Sequence, residues 1–254
     1  MSEADRSSSE ETPRISMLLA IETASVPGSI ALFSPDGLVE FCPLASTGRS
    51  RALAQDIGSL LERHGGVEGL SAIGLSIGPG SFTGIRVGVS FAKGFAVARE
   101  IVVIPVSTLE AIAAGMARAR PESRTFLVLT DARGGEVYAA AFRRTIDGIE
   151  PHPLVPEGAY AAGFAPEVEP GVLVAGSGVS LVARVPATWA LLDAAEALST
   201  PSAEVVGRLA LRTWRAGGGG SAETIEPRYV SRPKVERDGS VVGPTCVDAP
   251  SIGP

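Results

Sequence analysis

Short apolar runs separated by polar turns open the chain and then give way to helical spacing. Met17–Ile21, Ser29–Phe33 and Leu38–Leu44 read as three strands. The polar stretch Glu22–Gly28 and the turn Pro35-Asp36-Gly37 join them into a meander. Over Arg51–His64 the period changes, with Leu53, Ile57, Leu60 and Leu61 at helical spacing and Gly65-Gly66 as the stop. A strand, Ile73–Ile77, leads through a Gly-rich loop, Gly78–Arg86, into a helix of small residues, Val87–Ala98. Ile101–Pro105 is a further strand, and Ser107-Thr108 can cap a helix over Leu109–Ala119.

The same order then begins again. Thr125–Thr130 is a strand, Asp131–Gly135 an acidic turn, Glu136–Arg143 the returning strand, and Asp147-Gly148 a closing turn. Gly171–Ala175 runs through Gly176-Ser177-Gly178 into a helix, Val179–Arg184, which repeats strand, Gly-rich loop, helix. The pattern reads as a degenerate internal duplication. Asp193–Leu198 and Ala203–Arg215 are helical, and the four consecutive glycines within Ala216–Ser221 read as a flexible linker. This divides the chain into a disordered tail (1–15), a first subdomain (16–108), a second (109–232) and a disordered tail (233–254).

The 254 residues are 45% hydrophobic, enough for one large core or two modest ones. A net charge of −6 disfavours free-standing binding to a polyanion such as tRNA. Arg228, Arg232, Lys234 and Arg237 fall close together as a candidate basic patch, and read in the first place as part of a solvated tail. Two distant cysteines, Cys42 and Cys246, imply no disulfide framework and fit a reducing cytoplasm. Met1–Arg14 has no apolar core of a signal peptide, and no apolar run reaches the roughly 18 residues of a membrane span.

Gly78-Pro79-Gly80-Ser81-Phe82-Thr83-Gly84 carries the candidate chemistry. A Gly-rich turn at a helix N-terminus can cradle an anion, or it can let another backbone approach closely. No Lys-Ser or Lys-Thr follows, so it is not a Walker A loop. Ser81, Thr83 and Ser107 have no His or Lys base at a matching spacing and read as helix caps. His64 and His152 have no His neighbour, which leaves no metal pair, and both read as surface residues.

The whole string Gly78–Gly88 closely resembles the signature of the TsaB (YeaZ) family, bacterial proteins needed to make threonylcarbamoyladenosine beside the tRNA anticodon. Leu18–Ala24, Val106–Leu109, Asp131–Tyr138 and Glu226–Val230 match that family in order. The resemblance implies an α/β, actin/Hsp70-like (ASKHA, ribonuclease H-like) fold of two βββαβα-type halves around a cleft. It also implies a non-catalytic scaffold that pairs with a TsaD-like catalytic subunit, recruits a TsaE-like ATPase and meets tRNA only through that complex. Alone, such a protein pairs with a second copy of itself. TsaD carries a His-x-x-x-His metal pair that this chain lacks.

The candidate residues follow from that reading. Partner contacts are expected at Leu53, Ile57 and Leu60 of the first helix and at Gly78, Pro79, Gly80, Ser81, Phe82 and Thr83 of the loop. Gly84, Arg86, Gly88 and Ala92 continue them along the second helix, where Gly84, Gly88, Ala92 and Ala96 recur every four residues. Val87, Phe91 and Phe95 form a separate apolar face, so the helix is expected to be buried on two sides. In the superfold, turns from both halves hold nucleotide phosphates. Glu22, Thr23, Asp131, Gly176 and Gly178 are the corresponding candidates for nucleotide, and the two carboxylates could position Mg²⁺ or simply cap their own turns. No cofactor is expected for this subunit itself, with ATP or ADP a candidate at the interface of the complex. The alternative is a stand-alone ASKHA-type nucleotide-binding protein or phosphotransferase.

Overall fold

The computed structural model describes residues 17–45, 50–192, 199–230, 236–237 and 240–241. β1 (Met17–Glu22), β2 (Ser29–Ser34) and β3 (Gly37–Pro43) form the antiparallel meander. α1 (Ser50–Arg63), β4 (Leu70–Ser76), α2 (Phe82–Arg99) and β5 (Val102–Val106) follow, and the parallel strands β4 and β5 extend the sheet to the order β3-β2-β1-β4-β5. Two-residue periodicity sorts β1 between two cores. Leu19 and Ile21 meet α1 and α2 on one face, whereas Leu18 and Ala20 face the other way.

α3 (Thr108–Ala119) leads to the second sheet, with β6 (Thr125–Arg133), β7 (Glu136–Thr145), β8 (Gly148–Pro151), β9 (Gly158–Ala161), β10 (Leu173–Ala175) and β11 (Ala190–Leu191). From its antiparallel edge this sheet runs β8-β7-β6-β10-β11, the topology and strand sense of the first sheet. The duplication is therefore real at the level of topology. β9 and irregular chain stand where the first half has α1. A 3-10 turn, Ser177–Leu181, stands where it has α2, in place of the expected helix Val179–Arg184. Two such halves form the actin/Hsp70-like fold.

The helices cross over between the halves. α3 buries Leu109, Ile112, Ala113 and Met116 against Phe126, Val128 and Phe142 of the second sheet. α4 (Ala203–Arg215) returns to the first sheet, where Val206, Ala210 and Trp214 pack with Leu18, Phe33 and Ile104. Residues 203–230 thus belong with the first half, which corrects the boundary that placed 109–232 in the second. Sequence order could not show this, because α4 is as amphipathic as any helix of the half it follows.

The four glycines after α4 are ordered. Gly217 (φ +78) and Gly218 close the helix end, with Gly218 N–H donating to Thr213 O at 2.9 Å. Gly220 then pairs with Val103 in an antiparallel bridge with N···O distances of 3.0 and 3.1 Å. A Cβ at Gly219 would lie 2.5 Å from Val102 Cγ1, so the stretch covers the β5 edge rather than linking domains. Glu236–Arg237 and Ser240–Val241 pair as a short ribbon. The expected N-terminal tail, the helix Asp193–Leu198 and most of the expected C-terminal tail lie outside the described residues. Among those described, no helix is long and apolar enough to cross a membrane.

Candidate functional site

The signature glycines are packing positions. Ser81 caps α2, its Oγ accepting from Gly84 N–H at 3.2 Å, and the helix therefore starts at Phe82 rather than Val87. The first turn of α2 lies on the backbone of the β1–β2 turn. Ser81 N–H donates to Ala24 O at 2.8 Å, and a Cβ at Gly80 would sit 2.6 Å from that oxygen. At Gly84 a Cβ would run into the Thr23 carbonyl oxygen, and at Gly88 into Thr23 Oγ1. The Ala24 carbonyl takes the Ser81 N–H and the Ser81 hydroxyl takes that of Gly84, so these two donors at the helix end are used within the chain.

The nucleotide candidates are likewise used internally. Glu22 is fully buried, and Ser25 donates to both its oxygens, from N–H to Oε1 at 3.0 Å and from O–H to Oε2 at 2.7 Å. Burial pushes its carboxyl up to about 7, against the pull of the Ser25 hydrogen bonds. Thr23 is buried with an Oγ1 that has no hydrogen-bond partner. Gly176 and Gly178 let the 3-10 turn approach the β6 backbone, since a Cβ on Gly178 would lie 3.0 Å from the Leu129 and Thr130 carbonyl carbons. Asp131 Oδ1 accepts from Arg133 N–H at 2.7 Å across its own turn. Glu22, Thr23, Gly176 and Gly178 are therefore corrected from nucleotide contacts to structural positions, because Glu22 is spent on Ser25, Thr23 is buried against α2, and the two glycines serve a close backbone approach.

Only Asp131 of that set lines the cleft between the halves, a cavity of 520 Å³. Its described lining is rich in hydroxyls, including Ser25, Thr83, Thr108, Thr130 and Ser177, but holds a single carboxylate, Asp131, and a single cation, Arg133. Among the described residues no group of three His, Cys, Asp or Glu side chains is arranged to hold a metal. Ser107 caps α3, accepting from Glu110 N–H at 3.4 Å, and donates to Glu157 Oε2 at 2.9 Å, so its hydroxyl is not set up as a nucleophile.

The helix stripes need a second correction. Leu53, Ile57 and Leu60 of α1, and Gly84, Gly88 and Ala92 of α2, are buried in this chain's own core against β1 and β4. They cannot contact a partner without unpacking the sheet. The outward face of each helix is turned away from these buried positions. On α2 it runs through Thr83, Ser90, Gly94 and Val97, the last 61% exposed, while Val87, Phe91 and Phe95 are half-buried against this chain's own core. On α1 it includes Ala54 and Gly58. A Cβ at Gly58 or Gly94 would meet no atom of the described residues within 4 Å.

At the N-terminal end of this face Phe82, Arg86 and Tyr229 form a cluster. The Arg86 guanidinium lies 3.9 Å from the Phe82 ring centroid, and its Nε donates to Tyr229 Oη at 3.0 Å. The two rings are 5.4 Å apart. Tyr229 is brought there by its neighbour: Arg228 N–H donates to Ile77 O at 2.8 Å, and Arg228 Nε lies 3.3 Å from Glu157 Oε1. The Arg228 carbonyl passes so close to Gly78 (φ +111) that a Cβ there would lie 2.9 Å from it. The late Glu226–Val230 segment and the signature loop are thus one assembly.

A family model described as TsaD, tRNA N6-adenosine threonylcarbamoyltransferase, matches residues 43–151. The tRNA threonylcarbamoyladenosine biosynthesis protein TsaB of Escherichia coli K12 is 40% identical over 136 residues, 52% of this chain and 57% of that protein. TsaB of Bacillus subtilis is 33% identical over 128 residues, 50% of this chain and 55% of that one. The chain spans about half the length of the curated relatives it matches. The solved structure of YeaZ from Pseudomonas aeruginosa superposes with a TM-score of 0.72 at 27% identity, covering 84% of this chain and 99% of that one. The chain is thus similar to proteins named TsaB over half its length and to YeaZ over most of its fold.

Sequence reasoning missed Tyr229 as a site residue. Its only signal was the order of the Glu226–Val230 motif, 143 positions from Arg86. It also misplaced a histidine: His152 is buried, 6% exposed, and shares a hydrogen bond of 3.0 Å with Glu169 Oε1. His64 reaches Glu40 at 2.6 Å beside Arg63. Those partners hold the Glu40 carboxyl down near 2, the Arg63 hydrogen bond contributing most. Cys42 beside it is free, and burial and Glu40 push its thiol up, which does not favour a reactive thiolate. In the basic cluster, Arg228 is paired with Glu157, while Arg232 and Lys234 lie outside the described residues.

Proposed function

We propose that this chain is a non-catalytic scaffold subunit in the synthesis of threonylcarbamoyladenosine in tRNA. It docks a TsaD-like catalytic subunit through the outward face of α2 and the adjoining face of α1. The curated relatives are named as tRNA threonylcarbamoyladenosine biosynthesis proteins, which supports the pathway. The observation that carries the docking mode is Gly94. A glycine inside a helix costs about 1 kcal/mol relative to alanine, and this one has open space where a Cβ would go. Nothing among the described residues uses that space. A helix of another protein lying close against α2 would. The same face pairs two copies of the chain when no partner is present. Transfer chemistry belongs to the partner, a TsaE-like ATPase joins the pair, and tRNA is met through the assembly.

In light scattering with the TsaD-like protein of the same organism, a heterodimer is expected. Gly94→Leu is expected to abolish it while unfolding at or slightly above the wild-type temperature, because leucine is the better helix former. A Gly94→Leu protein that still forms the complex would remove this face from consideration.

The stand-alone phosphotransferase reading loses support because Glu22 is spent on Ser25 and does not line the cleft, whose described lining holds a single arginine. Millimolar Mg-ATP is expected to leave the unfolding temperature of the isolated chain unchanged. A ligand at a hundred times its Kd would stabilise it by about 2.7 kcal/mol, which a thermal-shift scan would detect. Nucleotide, on this reading, binds at the interface of the complex.

A further inference from the structure

We infer that Arg86, held by Phe82 and Tyr229, is a preformed receptor for a carboxylate on the partner protein. The inference rests on the docking face proposed above and names the chemistry of its N-terminal end. An exposed arginine ordinarily loses side-chain freedom when it binds. Here that ordering is already done. Stacking on Phe82 at 3.9 Å fixes the plane of the guanidinium, and the Tyr229 hydroxyl takes its Nε at 3.0 Å. Both Nη groups remain, and no carboxylate among the described residues pairs with them. A planar pair of N–H donors fits a carboxylate in a bidentate bond, which a lysine cannot reproduce.

The surroundings select a protein partner over a nucleotide. Phe82 and Thr83 line the cleft between the halves, but Arg86 and Tyr229 do not. Arg86 instead lies one turn before Ser90 on the exposed face of α2. Phe82 and Tyr229, 45% and 44% exposed, supply apolar rims that would exclude water from the ion pair once covered. Aromatic and arginine side chains in that arrangement are the residues that dominate protein interfaces. Tyr229 acts as a positioning residue, and Gly78 is what allows the Arg228 backbone to bring it there.

The test is the affinity for the TsaD-like protein, by titration calorimetry with full-length proteins at low and at high salt. Arg86→Ala is expected to weaken the complex by about thirty-fold or more, Arg86→Lys by about ten-fold and Tyr229→Phe by about three-fold. The salt dependence of Kd should flatten in Arg86→Ala. Unfolding temperatures should not move, since these side chains are exposed. Arg86→Ala within two-fold of wild type would overturn the receptor and leave the scaffold reading standing, whereas no complex with the wild-type chain would overturn both. Full retention by Arg86→Lys would overturn the bidentate geometry. A loss seen only when ATP is present would assign the anion to nucleotide instead.

Discussion

Gly84→Ala is expected to destabilise the chain by about 4 kcal/mol, at the upper end of single-residue effects. The added methyl would fall on the Thr23 carbonyl oxygen, which belongs to the backbone of a turn tied at Ala24 O to Ser81 N–H. Neither side can yield as a flexible side chain would, so the first turn of α2 must lift away from β1. Gly88→Leu is expected to be worse, because Thr23 Oγ1 and Leu75 Cδ1 close off its side. Gly94→Ala, on the same helix and with no atom of the described residues within 4 Å, should instead stabilise by up to about 1 kcal/mol. Urea denaturation of the three variants checks this. Equal stability of Gly84→Ala and Gly94→Ala would mean that α2 does not rest on the β1–β2 turn.

Glu22 should make stability fall as pH rises. Its folded carboxyl titrates near 7 against an ordinary value of 4.5, because burial disfavours the charged form more than the Ser25 hydrogen bonds favour it. Below the ordinary value both states are protonated and the group costs nothing. Between the two values the native state keeps a proton that the unfolded state has released, so each rise in pH favours unfolding. Above about 7 the native carboxylate is charged in an apolar site and the full cost is present. At about 1.4 kcal/mol per pH unit that cost is roughly 3 kcal/mol. Glu22→Gln keeps an acceptor for Ser25 N–H and gains a donor for its Oγ without the charge. The variant is expected to match wild type near pH 4 and to exceed it by about 3 kcal/mol near pH 8. Glu110 and Glu157, also pushed up by burial, add a slope of the same sign to both proteins, so the difference isolates Glu22. Parallel stability profiles for the two proteins would refute the buried, raised carboxyl.

Local pattern carried much of this fold. Period-two and period-3.6 spacing located β1, β2, β3, α1, α3 and α4 to within a few residues, because each buries one face and its turns need particular residues. The repeat of strand, turn, strand was visible, and so was the resemblance carried by motifs in order. The elements that escaped, β8, β9 and β11, are two to four residues long, too short for a periodic pattern, and β9 and β11 pair across intervening chain. The Gly217–Gly220 stretch looked like a linker because a helix cap and an edge pairing use the same residue as flexible chain does.

The site shows the division more sharply. The spacing of Gly84, Gly88 and Ala92 announces that something lies close against one side of α2, and sequence can say no more than that. Whether the close neighbour is this chain or another depends on which way the helix is rotated over β1 and β4. That rotation is set by the collision any side chain at Gly84 would make with Thr23. Tertiary structure put the small-residue stripe inside and left Thr83, Ser90 and Gly94 outside. It likewise spent Glu22 on its own turn and carried Tyr229 across 143 positions to Arg86. Residue types determined which groups could act. Packing, which is non-local, decided which of them were already in use.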